Sequence, residues 1–185
     1  MVICDISIKS KKYQEQKNIN EFIKNIVLKI IALSDLKIFL QKKYQLEINF
    51  SIVSDLQMKK INYNFRQKNN TTNVLSFPNF DGENINKIGF KNFLKNHLKA
   101  QDFLILGDIV LSLQTIQKEA QLENKKFDDH LTHMIVHSIL HLIGYDHEKE
   151  QMAIIMEQLE IKILKKLKIN NPYKIKSKIK SKIDS

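Results

Sequence analysis

An α+β domain is the fold this sequence predicts: a small mixed four-stranded sheet covered by about five helices. Two observations predict it. Short runs rich in β-branched residues are interleaved with longer segments of helical period, an order that places helices against a small sheet. The 185 residues are 43% apolar and 27% charged, which is ordinary globular composition with the length of one domain and enough chain to bury a core.

Each element has its own reason. Val2–Ile8 reads as a short strand. A helix follows from about Ile19 to Lys42, with apolar residues at 19, 22, 23, 26, 27, 30 and 31 on one face. Leu46–Val53 alternates and is a strand. Ser54 and Asp55 can cap a helix to about Arg66 that turns Leu56, Ile61 and Phe65 inward. A polar loop leads to a third strand, Asn73–Phe77, stopped by Pro78. Residues 78–101 are irregular, with a turn at 79–84 and a short helix around Phe90–Leu98. Leu104–Leu113 is the fourth strand, and helix continues to Leu122. Asp128 and Asp129 open a helix that runs through Ile143 and breaks at Gly144. Glu148 to about Leu167 is the last amphipathic helix, and Asn171-Pro172 stops it. Residues 1–173 thus form one domain without repeats or an internal linker. Residues 174–185 are a low-complexity basic tail, expected to be disordered.

Composition excludes several classes. Four glycines and two prolines rule out collagen-like and Pro-rich scaffolds. A single cysteine, Cys4, rules out a disulfide framework and any zinc site built on several thiolates. The N-terminus lacks the order of a signal peptide, and the apolar stretch Phe22–Leu40 carries Lys24, Lys29 and Lys37. No membrane association and a cytoplasmic location are therefore expected. The formal charge is +10, yet residues 162–185 alone hold nine lysines and one aspartate. The folded part is close to neutral. The tail is either a solvated end or a salt-sensitive grip on nucleic acid.

The chemistry concentrates in one segment. Five of the six histidines are His130, His133, His137, His141 and His147. On a helix, positions i and i+4 lie about 5–6 Å apart at Cβ, so two imidazoles can meet on one ion. His133 and His141 are about 12 Å apart along the axis, too far to share one. A third ligand must come from beyond the helix. In His137-x3-His141-x2-Gly144-x2-His147, Gly144 can take positive φ and turn the chain back, which brings His147 over the same face. Three neutral imidazoles with a fourth position open describe a catalytic rather than a structural zinc site. A metal cleft beside the histidine-bearing helix is the expected site, with one Zn2+ per chain, although imidazole sites also take other divalent transition metals. His133 could compete for pairing with His137. It could equally support the ligands from behind, touch substrate, or be plainly exposed.

The spacing also resembles metzincin proteases, whose pattern places a glutamate base directly after the first histidine. Here that position is Ser138, so peptide hydrolysis is disfavoured. A second cluster points to phosphate. Of 30 basic residues only Arg66 is arginine, and its planar fork matches phosphate as lysine does not. It lies at a helix end before a turn containing Lys68 and a strand containing Ser76. The competing reading pairs Arg66 with a carboxylate of the fold, such as Asp108.

Together these motifs resemble the YbeY family of bacterial endoribonucleases. The resemblance rests on Asn62-x-x-Phe65-Arg66, Thr72-Asn73-Val74-Leu75-Ser76-Phe77-Pro78, Leu106-Gly107-Asp108-Ile109-Val110 and His137-x3-His141-Leu-x-Gly144-Tyr145-Asp146-His147. Asn171-Pro172-Tyr173 also fits, and roughly residues 45–173 are covered. The resemblance implies zinc on His137, His141 and His147, with Arg66 as the functional arginine near the metal. It implies metal-dependent cleavage of single-stranded RNA in the cytoplasm, in 3′-end maturation of small-subunit rRNA and in ribosome quality control. An rRNA precursor and the ribosome or its small subunit are then the partners, and Lys68, Ser76 and His133 are candidate substrate contacts. Two positions depart from the family pattern: Ser138 where glycine is common, and Phe65 where tyrosine is usual. The alternative function is a non-catalytic, RNA-binding ribosome-assembly factor whose metal only locks the fold.

Overall fold

The computed structural model describes residues 1–13, 17–80 and 89–173. The expected disordered tail and most of the expected turn at 79–84 lie outside the described residues. Four strands form one mixed sheet in the order β1-β2-β4-β3. β1 (Val2–Ile8) runs parallel to β2 (Gln45–Ile52), and β2 runs parallel to β4 (Phe103–Leu111). β3 (Val74–Pro78) is antiparallel to β4 at the opposite edge. The described helices are α1 (Lys17–Leu33), α2 (Asp55–Arg66), α3 (Phe90–Ala100), α4 (Leu113–Leu122), α5 (Phe127–Leu142) and α6 (Glu150–Lys166). None is long and apolar enough to cross a membrane. The α+β expectation holds, with six α-helices among the described residues rather than about five.

Local chemistry explains where boundaries move. The helix expected to reach Lys42 ends at Leu33, because the Ser34 hydroxyl accepts the Leu36 N–H and starts a 3-10 segment, Asp35–Leu40. Serine competes with the helix ladder in this way. The new segment still buries Leu36 and Phe39. β4 stops at Leu111 rather than Leu113, since Ser112 turns into the cap of α4 and accepts the Thr115 N–H. Ser54 caps α2 as expected, in a full capping box with Gln57.

The two sheet faces carry different loads. β2 alternates cleanly, with Leu46, Ile48, Phe50 and Ile52 buried beneath α1 and α5. β4 shifts phase at a bulge opposite Glu47 and Ile48, so Leu104 and Leu106 before it, and Ile109 and Leu111 after it, all reach this core. Gly107 at the bulge has φ +143°, and a Cβ there would stand 2.2 Å from the Phe77 carbonyl oxygen. The other face holds a smaller cluster of Val53, Met58, Leu75 and Val110 under α2. This narrow contact corrects the expected inward face of α2: Met58 and Asn62 are buried, whereas Leu56 and Phe65 are exposed and Ile61 is only partly covered.

α5 runs through the centre, against β3, α1, α4 and α6. Between His130 and Ile143 every residue is buried except His137 and His141. The start of α2 is tied to α4 by Asp55, whose carboxylate accepts from Ser112, Thr115 (2.9 Å) and Lys118 (2.8 Å). Partial burial opposes ionisation of Asp55, but these hydrogen bonds outweigh it and hold its pKa below the ordinary value of 3.8. A carboxyl with a depressed folded-state pKa adds stability above its unfolded pKa and loses it as pH falls through the folded value. Asp55→Asn is therefore expected to cost about 1–2 kcal/mol at pH 7. The gap between wild type and variant should close only as pH drops below about 3.8, read by urea denaturation across pH.

Candidate metal centre

Each candidate ligand position follows from a local structural cause. His137 and His141 occupy the two open positions of α5, one turn apart. The helix then ends as Gly144 predicts: Gly144 takes φ +88°, and the Tyr145 N–H returns to the Leu140 carbonyl at 3.0 Å. The His147 N–H is held by the Asp146 side chain at 2.7 Å, which fixes the turn that returns His147 over the helix. One ring nitrogen from each of His137, His141 and His147 lies within 4.8 Å of the others.

Proton placement is compatible with a metal on this cluster. His137 Nδ1 faces Glu160 Oε1 at 2.7 Å, and a carboxylate can only accept, so Nδ1 carries the proton. In the neutral ring Nε2 of His137 is then a lone pair, pointing at His141 Nε2 from 3.1 Å. Two imidazole nitrogens on one tetrahedral ion with bonds near 2.0–2.1 Å stand about 3.3 Å apart. The spacing and the tautomer both fit a divalent metal. Burial, then the neighbouring His137 and His147, push the His141 pKa down to about 4, so its ring is neutral as a metal ligand requires.

Glu160, which the sequence reading missed, organises the back of this site. It is fully buried on α6 and accepts from His137 Nδ1, His133 Nε2 (3.0 Å) and the Tyr173 hydroxyl. Burial resists its ionisation, yet the hydrogen bonds from His133 and His137 prevail and hold its pKa at about 2. A signal was available: with Met156, Ile163 and Leu164 it lies on the buried stripe of α6, where an unpaired charge would be prohibitive.

In front of the histidines lies an open cleft of about 610 Å3. His141 and His147 line one wall with Tyr145, and Arg66, Lys68 and Ser76 line it too. The structure thus brings Arg66, Lys68 and Ser76 together with the triad, with His137 one layer deeper against Glu160. Arg66 forms no ion pair among the described residues, so the expected alternative of pairing with Asp108 is not adopted. His133 is placed elsewhere. It is buried, bonded to Glu160, and borders a separate 300 Å3 pocket with His130, so it is neither exposed nor part of the cleft. Ser138 is fully buried and donates to the Ile135 carbonyl at 3.0 Å, so no base stands where a metzincin would hold its glutamate.

The family profile described as Endoribonuclease YbeY matches residues 8–168. The chain belongs to the YbeY family. Its relatives include Endoribonuclease YbeY of Bartonella quintana, 39% identical over 175 residues, 94% of this chain and 98% of that protein. The same-named protein of Bartonella bacilliformis is 46% identical over 130 residues, covering 69% and 72% of the two chains. That of Buchnera aphidicola is 40% identical over 141 residues, covering 76% and 81%. The solution structure of TM1509 from Thermotoga maritima shares the fold, with a TM-score of 0.51 at 20% identity over 91% of this chain and 92% of that one.

Within this YbeY chain, Asn73 has an architectural part. Its side-chain amide donates to both Glu119 oxygens at 3.2 and 3.0 Å, and Glu119 Oε2 also meets His130 at 2.9 Å. The loop that carries Lys68 toward Ser76 is thereby tied to α4 and α5. Removing a carboxylate behind a ligating histidine weakens metal affinity by about 10–100-fold. Glu160→Gln is expected to lower affinity by that factor in a competition titration against a chromogenic chelator. His141→Ala is expected to leave less than one equivalent bound under the same conditions.

Proposed function

We propose that this chain is a zinc-dependent endoribonuclease that cuts single-stranded RNA, acting in the cytoplasm on the 3′ end of the small-subunit rRNA precursor and in ribosome quality control. The observation that carries the reading is the placement of the chain's only arginine in the same cleft as His141 and His147. Family membership supports RNA as substrate, since the relatives are named endoribonucleases. The rRNA precursor and the small ribosomal subunit as partners rest on the motif resemblance. Residues 1–173 are the proposed catalytic domain, with the basic segment 174–185 as an electrostatic extension along RNA.

His137, His141 and His147 hold the metal in this scheme, with Glu160 fixing the His137 tautomer. Zinc in such a three-histidine site supplies Lewis acidity and makes water nucleophilic near neutral pH. Arg66 holds the scissile phosphate through its fork and offsets charge that grows on the phosphoryl oxygens. Lys68 pairs with an adjacent phosphate, and the Ser76 hydroxyl donates to a backbone oxygen. His133 acts from behind the ligands through Glu160, not on substrate. The buried Ser138 leaves peptide cleavage without a base next to the first ligand.

Arg66→Ala is expected to keep one equivalent of zinc and to lose about 100–1000-fold in cleavage of a single-stranded RNA. Arg66→Lys should recover only part, because the point charge lacks the bidentate geometry. Metal content by mass spectrometry and cleavage by gel assay read the two quantities separately. Equal residual cutting by wild type, Arg66→Ala and His141→Ala would mark the activity as a contaminant and favour the assembly-factor reading.

A further inference from the structure

Glu160 holds His137 with one carboxylate oxygen and is itself held by the other. Its Oε1 accepts from His137 Nδ1 at 2.7 Å, while Oε2 accepts from His133 Nε2 at 3.0 Å and from the Tyr173 hydroxyl. Tyr173 comes from beyond α6, 13 residues after Glu160, and several contacts seat it. Lys168 takes φ +63°, and the Ile169 N–H returns to the Leu164 carbonyl at 2.9 Å, which closes α6 and reverses the chain. Ile169 then packs on the core. The Asn171 side chain accepts the Tyr173 N–H at 2.9 Å, and Lys125 donates to the Pro172 carbonyl at 3.4 Å. The Tyr173 ring meets the His133 ring edge-to-face, with centroids 5.8 Å apart and planes at 84°. A helix end, a turn and a ring contact therefore deliver one hydroxyl to a buried carboxylate.

A glutamate carboxylate turns easily about its last torsion, which is broad and two-fold. Donors that reach it from separate elements, on both oxygens, restrict that turn. His133 and His137 both lie on α5, so Tyr173 is the donor that approaches from a second segment. The orientation and basicity of a ligating imidazole are set by the group that its other nitrogen meets. We propose that Tyr173 is a positioning residue for the metal centre: through Glu160, its hydroxyl holds His137 with Nε2 turned toward His141. The proposal rests on the metal reading of the three histidines and deepens it, since it extends control of the site to the segment after α6. Tyr173 is not among the residues that line the cleft, so it acts from behind the histidines rather than on RNA.

The test uses the full-length chain and reads metal binding directly. Tyr173→Phe removes one oxygen and keeps the ring against His133. Its zinc affinity, by competition with a chromogenic chelator, is expected to fall about 10-fold, the lower end of the range for groups behind a ligating histidine. On a Glu160→Gln background the same substitution is expected to change affinity less than about twofold, because residues that act through one another are not additive. Cobalt(II) gives a second readout. The visible absorption bands of the cobalt-loaded chain follow ligand geometry, and Tyr173→Phe should shift them in the direction that Glu160→Gln does. A purely structural role would lower the melting temperature of the metal-free chain and leave those bands in place. Wild-type zinc affinity in Tyr173→Phe, unmoved cobalt bands, or an equal loss on the Glu160→Gln background overturns the positioning role while the metal site stands. A wild-type chain that binds neither zinc nor cobalt overturns the metal reading as well.

Discussion

A carboxylate buried in an apolar interior is unstable unless donors surround it, and the candidate metal centre depends on one such group. Glu160 sits fully buried on α6 and is satisfied by His133, His137 and Tyr173. Three donors from two further parts of the chain must arrive together, so the carboxylate fixes α6 and the segment after it against α5. It also decides which nitrogen of His137 keeps the proton. The Nε2 atom left on the other side faces His141 Nε2, so the geometry of the candidate metal site follows from a hydrogen-bond requirement in the layer behind.

The second constraint is packing. α5 is buried on nearly every side, between the sheet and helices α1, α4 and α6, and the covering elements leave openings at His137 and His141. Rigid surroundings suit a metal site, because the ligands cannot swing apart without displacing core side chains. His147 lies outside this enclosure and is exposed. It is positioned instead by backbone chemistry, through the positive φ of Gly144 and the side-chain cap from Asp146.

The other residues of the cleft come from where the sheet ends. β3 is an edge strand, and α2 lies across the face of the sheet away from α5. The end of α2 brings Arg66 and the following Lys68 to the cleft, beside Ser76 and Pro78 of β3. Gly107 allows this edge to stay tightly paired, since any side chain at the bulge would strike the Phe77 carbonyl. The same edge arrangement explains why α2 buries only Met58 and Asn62, which leaves Phe65 exposed against Phe77.

Much of this was legible in the sequence. Alternation along Leu46–Ile52 specifies a strand with one buried face, and the i, i+4 spacing of His137 and His141 with Gly144 specifies converging imidazoles. Those features are local: they depend on backbone periodicity and on the conformational freedom of glycine. The isolation of a single arginine among lysines likewise singles out Arg66 without reference to the fold. The partner of His137, the burial of His133 and the exposure of Phe65 were not legible in the same way. Each depends on which elements lie side by side, and periodicity gives a helix a face without naming what covers it. Glu160 lies 23 residues from His137. Sequence determined the three candidate histidines, the turn that gathers them and the class of fold. Tertiary structure decided which nitrogen of His137 donates to Glu160 and which other residues line the cleft, because hydrogen bonds and close packing between distant segments exist only once the chain has folded.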